Sequence, residues 1–138
     1  MIMKKVFFII AILLCAVSAN AESLFEISLR KAKEGNAMAQ NDVAAYYRTM
    51  GYCDEAFYWY KKAVAQGDKV ALYGLGQCYG VGCGVEVDYA LAAYYIEQSA
   101  QKGLKEAQEA IALMYKMGLG VQRDMNKASY WQNKANNH

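Results

Sequence analysis

A serine one helical turn ahead of a lysine, three cysteines in the body of the chain and two glutamates three residues apart could each do chemistry here. Ser28-Leu-Arg-Lys31 fits Ser-x-x-Lys, in which a lysine amine sits close enough to draw the proton from a serine hydroxyl. Enzymes that use this pattern on penicillins also carry Ser-Asp-Asn and Lys-Thr-Gly, and neither follows. Glu106 and Glu109 share a helix face and would suit paired acid–base work, but nothing converges on them. A solvated face is the simpler reading. The only histidine is His138, at the very end, which removes histidine from any triad or metal site. Gly80-Val-Gly82-Cys83-Gly84 is rich in glycine but lacks the preceding strand of a phosphate loop. We therefore expect no catalytic residue, no metal and no cofactor.

The remaining reactive groups point to a compartment instead. Lys4 and Lys5 precede an apolar run of 12 residues, Val6 to Val17. A membrane span needs about 20, so the run reads as a secretory signal peptide over residues 1–21. Ala19-Asn20-Ala21 places cleavage after Ala21, with Val17-Ser18-Ala19 as the second choice. Leu13-Leu14 precedes Cys15 where an acylated cysteine wants a small residue, so Cys15 leaves with the signal. The expected location is periplasmic or secreted, with no membrane span after cleavage. Without Lys4 and Lys5 the rest holds 13 basic and 13 acidic residues, too balanced to bind nucleic acid through phosphates. Cys53, Cys78 and Cys83 remain, and an oxidising compartment favours a disulfide between two of them.

Elements that could position these groups follow from a repeat. Ala71, Leu75, Gly76, Tyr79, Gly82, Gly84, Val85 and Asp88 recur 36 positions later as Ala107, Ile111, Ala112, Tyr115, Gly118, Gly120, Val121 and Asp124. Ala92 and Tyr95 continue as Ala128 and Trp131, and Gly67 as Gly103. An earlier unit aligns 32 positions upstream through Gly35, Ala39, Val43, Ala44 and Tyr47. Its second half, Ala56 and Trp59, aligns at 36, so four residues are missing from its turn. Ala71, Leu75 and Tyr79 share one helix face, Gly82 and Gly84 suit a tight turn, and Asp88 and Asp124 stand at N-caps. Gly67 and Gly103 close the second helices. No proline interrupts the pattern. The fold expected is all-α: a right-handed α-solenoid of about three helix-turn-helix repeats plus an N-terminal cap helix at 24–34. One domain spans 22–138, with units at 35–66, 67–102 and 103–135.

The pattern Ala-x-x-x-Leu-Gly-x-x-Tyr-x-x-Gly-x-Gly-Val-x-x-Asp-x-x-x-Ala-x-x-Trp/Tyr resembles the Sel-one-like repeat family, relatives of tetratricopeptide repeats. That resemblance implies a scaffold that binds a protein partner, with the first helix of each unit lining a concave groove. The groove positions are then Met38, Asn41, Ala45 and Arg48, followed by Val70, Tyr73 and Gln77, and finally Glu106, Glu109, Leu113 and Lys116. The set is of mixed polarity and holds only part of the cationic row that grips peptide C-termini. Secreted relatives have been linked to β-lactam binding or hydrolysis, which keeps a weak enzyme through Ser28 and Lys31 as an outside alternative. Relatives with disulfides space their cysteines differently, so their connectivity does not carry over.

Tyrosine is abundant, with 12 copies. The repeat buries Tyr47, Tyr79, Tyr115, Trp59, Tyr95 and Trp131. Tyr46, Tyr58, Tyr60, Tyr73, Tyr94 and Tyr130 are not required by it and are candidates for partner contact. All three cysteines map near the edge where first helices turn into second ones. Cys78–Cys83 is favoured over Cys53–Cys83, with three free thiols as the other option. The function expected is an envelope adaptor or regulator. The alternative is a dedicated inhibitor, such as an immunity protein neutralising a toxin in the same compartment.

Overall fold

The computed structural model describes residues 1–10 and 22–137. Residues 2–10 are helical. Cys15, the expected cleavage site at Ala19–Ala21 and His138 lie outside the described residues. From residue 22 onward there are seven helices: α1 (Leu24–Lys33), α2 (Ala37–Thr49), α3 (Cys53–Val64), α4 (Lys69–Val81), α5 (Tyr89–Gln101), α6 (Lys105–Met117) and α7 (Met125–Asn136). The described residues contain no strand, and none of their helices is long and apolar enough to cross a membrane.

Local chemistry sets the helix ends. Ser23 and Glu26 form a reciprocal capping box at α1. Asn36, Asp68, Asp88 and Asp124 each accept a backbone N–H bond in the first turn of α2, α4, α5 and α7. Gly82 and Gly118 end α4 and α6 in the left-handed conformation. The missing residues of the first unit are visible as a short turn: residues 50–52 join α2 to α3, whereas 82–88 and 118–124 join the later pairs. Tyr52 there supplies no side-chain cap.

Each helix packs on its neighbours in chain order, and α2 also packs directly on α4. One cluster gathers Val43, Ala44, Ala56, Trp59, Leu75 and Cys78. A second gathers Ile96, Ile111, Ala112, Tyr115 and Trp131. Trp59, Tyr115 and Trp131 are buried, while Tyr47, Tyr79 and Tyr95 are half-buried. Tyr79 stacks on Tyr95 with ring centres 5.6 Å apart, tying α4 to α5. Polar side chains complete the joints between units. Gln40 and Gln108 donate to the carbonyls of Ala32 and Ala100, and the Ser99 hydroxyl donates to that of Lys69. The Ala32 and Ala100 carbonyls also accept the N–H groups of Gly35 and Gly103, so these side-chain bonds act as added ties between neighbouring helices. The outer side of α7 carries Ser129, Gln132 and Asn136, all exposed, at the positions where α5 buries Ala93, Ile96 and Ala100. The stack thus presents a polar face at that end.

Two expectations are corrected. The structure joins Cys53 to Cys83, with α-carbons 4.8 Å apart, and leaves Cys78 as a free, buried thiol. The favoured Cys78–Cys83 pairing fails because Cys78 turns into the core of α4. The left-handed Gly82 meanwhile carries Cys83 across to the start of α3. Tyr60, expected to be free for partner contact, is 2 % exposed. Its ring occupies the space that a side chain at position 74 would need: a Cβ on Gly74 would stand 2.4 Å from a ring carbon. At the corresponding positions one unit later, Ile96 and Ala110 replace the Tyr60–Gly74 pair.

That exchange of volume is testable. Gly74→Ala should destabilise the fold by about 1–3 kcal/mol in urea unfolding, because the ring is enclosed. Adding Tyr60→Ile to it should recover part of the loss by restoring the later unit's combination. A double variant no better than the single one would show that the two positions are not coupled.

Candidate functional site

The broadest direct contact between helices of the same rank is that of α2 with α4, both first helices. Between α4 and α6 the surface opens into a depression of about 530 Å³. Tyr73, Gln77 and Val81 on α4 and Leu113 and Met114 on α6 form its walls. Ala92 and Ile96 of α5 form its floor, with Leu119 of the α6–α7 turn at one side. Two helical glycines, Gly76 and Gly80, widen it. A Cβ on Gly76 would meet Ile96 at 2.6 Å, so glycine is what lets α5 approach α4 here.

Arg48 reaches the depression from α2. It donates from Nη1 to the Gln77 side-chain oxygen and lies over the Tyr60 ring, 5.8 Å from its centre. This locks three helices together beneath the groove. The Cys78 thiol belongs to the same cluster. Burial pushes it above its ordinary value of 9.0, and Arg48 partly offsets the rise. Burial likewise pushes the Tyr60 hydroxyl above 10.0, against the pull of Arg48.

Both groups hold their protons more tightly folded than unfolded, so their contribution is intact below the unfolded values and is lost as pH rises. Stability should be flat from about pH 7 to 8 and fall above about pH 9. In Cys78→Ala the fall should begin later, in the tyrosine range. Urea unfolding at stepped pH reads both, and identical profiles for the two proteins would remove Cys78 from this explanation.

Of the expected groove residues, Arg48, Tyr73, Gln77 and Leu113 come together around the depression. Lys116 and Leu113 border a second one of about 260 Å³, with Met125 and Gln132 of α7. Asn41 and Ala45 are half-buried and lie apart from both. Met38, Val70, Glu106 and Glu109 are exposed on the first halves of α2, α4 and α6, also outside both. The floor from α5 and the turn residue Leu119 were not anticipated. A signal was present in the repeat alignment: Gly74, Gly76 and Gly80 stand where the next unit has Ala110, Ala112 and Lys116.

Ser28 is half-buried and Lys31 exposed on α1, and neither borders these depressions. No group of three His, Cys, Asp or Glu among the described residues could hold a metal ion. Tyr46, Tyr58, Tyr94 and Tyr130 are exposed, each between 45 % and 56 %.

A family model described as Sel1 repeat matches residues 37–68, 69–104 and 105–137. No curated protein matches the chain. Among solved structures, the chain is similar to c5321, a protective antigen present in uropathogenic Escherichia coli strains displaying an SLR fold. The identity is 33 %, the TM-score 0.77, and the match covers 80 % of this chain but 24 % of that one. It is also similar to a Sel1 repeat protein from Oxalobacter formigenes, at 25 % identity and a TM-score of 0.76, covering 87 % and 94 % of the two chains.

Proposed function

The chain belongs to the Sel1 repeat family, and from that premise we propose that it is an exported adaptor whose concave groove holds a protein partner. Sel1 repeat proteins generally mediate protein–protein interaction. The depression between α4 and α6 carries the reading for this chain. It is lined by Tyr73, Val81, Leu113 and Leu119, with Val81 and Leu113 more than half exposed, so apolar surface is held open to solvent in a concave setting. Such a surface gains free energy when another protein covers it. The Cys53–Cys83 disulfide supports a working place in an oxidising compartment, and Lys4-Lys5 with the apolar run after them supports export.

Affinity capture from an envelope extract tests this, using C-terminally tagged protein expressed from the full-length gene. The Tyr73→Ala/Leu113→Ala variant serves as the groove control, with circular dichroism showing that it remains folded. The reading expects one protein enriched by the wild type and lost by the variant. Its identity then decides between an adaptor on an abundant envelope protein and an inhibitor paired with a toxic enzyme. The same protein retained equally by both would place binding elsewhere than the groove.

A further inference from the structure

Among the described residues, no carboxylate neutralises the positive charge of Arg48. Its side chain is half-buried, and among the described residues no carboxylate comes within ion-pair distance of it. The partners it has are neutral: the Gln77 oxygen and the face of Tyr60. Gln77 engages Nη1 and so fixes the plane of the guanidinium. The other N–H groups of the fork are left for an acceptor from outside. A half-buried cation without an anion is costly, and an arriving carboxylate relieves that cost with a charge-assisted bond.

Position narrows what that acceptor is attached to. Arg48 lines the same depression as Tyr73, Leu113 and Met114, so the carboxylate must sit next to an apolar group. Leu113 is shared with the second depression, which holds another cation, Lys116. Leu113 thus stands between two cations, Arg48 in the first depression and Lys116 in the second. A segment running over Leu113 can bring an acceptor to each cation, whereas a chain end brings its carboxylate to one.

We propose, building on the groove reading, that the partner contributes an extended internal segment. An Asp or Glu carboxylate of that segment meets Arg48, and the adjoining apolar side chain fills the depression over Leu113.

Isotope-labelled protein titrated with short peptides tests this by nuclear magnetic resonance. The probes are acetyl-Gly-Leu-Glu-Gly-amide, the same peptide with Gln for Glu, and acetyl-Gly-Gly-Leu with a free C-terminal carboxylate. The Glu peptide should bind about tenfold tighter than the Gln peptide and shift both the Arg48 Nε–H and Leu113 methyl signals. Arg48→Gln should abolish that preference while the Leu113 shifts persist. Arg48→Lys, which keeps the charge and loses the fork, should retain only part of it. Equal binding of the Glu and Gln peptides to the wild type, with Leu113 shifting, would overturn the carboxylate site and leave the groove reading standing. Tightest binding by the free-carboxylate peptide, dependent on Arg48, would overturn the internal segment in favour of a chain end. No shift at Leu113 with any probe would overturn the groove reading and this inference with it.

Discussion

Gly120→Ala is expected to cost the fold about 4 kcal/mol, while Gly103→Ala, equally a glycine at positive φ, costs about 1 kcal/mol. Both residues are left-handed, at φ +68° and +84°. The backbone strain of a side chain is therefore common to both. Their surroundings differ. A Cβ at Gly103 meets nothing within 4 Å, but one at Gly120 would stand 1.9 Å from the Tyr89 carbonyl oxygen. The obstacle is backbone at the start of α5, which cannot swing aside as a flexible side chain would. The α6–α7 turn is thereby seated on the preceding unit, and Gly84 rests in the same way against the Cys53 carbonyl. Urea unfolding of the two variants gives the comparison. Equal losses would mean that the turn lifts off α5 without penalty and that this contact does not hold the units together.

Loss of the Cys53–Cys83 disulfide is expected to cost about 3.5 kcal/mol. The bridge spans 30 residues of sequence, and opening a loop of that size restores this much conformational freedom to the unfolded chain. For a domain of about 100 residues the thermal midpoint should fall by about 15 °C on reduction. The bridge ties the short first turn, which lacks the Gly-x-Gly-Val of the later units, to the turn of the second unit. Cys53→Ser should lower the midpoint as far as reduction does and make the variant insensitive to reductant. A Cys53→Ser protein that still responds to reductant would contradict this pairing and revive Cys78–Cys83.

Much of the architecture was legible because it repeats. The 36-residue offset that aligns Ala71, Tyr79 and Asp88 with Ala107, Tyr115 and Asp124 fixed the helix pairs, and the two aspartates cap where the pattern put them. The shortened first turn was also readable, as a change of offset from 32 to 36. What escaped depended on contacts between units. Tyr60 looked free because its burial is decided by the absence of a side chain on Gly74, in another helix. The cysteines all mapped to one edge, and only the inward turn of Cys78 on α4 separates it from the pair. Tyr73, Gln77 and Leu113, which the family resemblance put at a groove, line the depression between α4 and α6. The floor that α5 provides was not anticipated, because a periodic reading assigns each face to one helix at a time. Arg48 was placed on the inner face, but its lack of a carboxylate becomes visible only when α3 and α4 surround it.

Site-specific photocrosslinking in the living cell is the most direct measurement of the claim that the inner face holds a partner. A photoreactive phenylalanine would replace Leu113 in one protein and Tyr94 in another, both more than half exposed and on first and second helices respectively. A discrete crosslinked protein is expected from position 113 and none of that mass from position 94. The reverse pattern, an adduct from Tyr94 and nothing from Leu113, would contradict it and move the binding surface to the second helices.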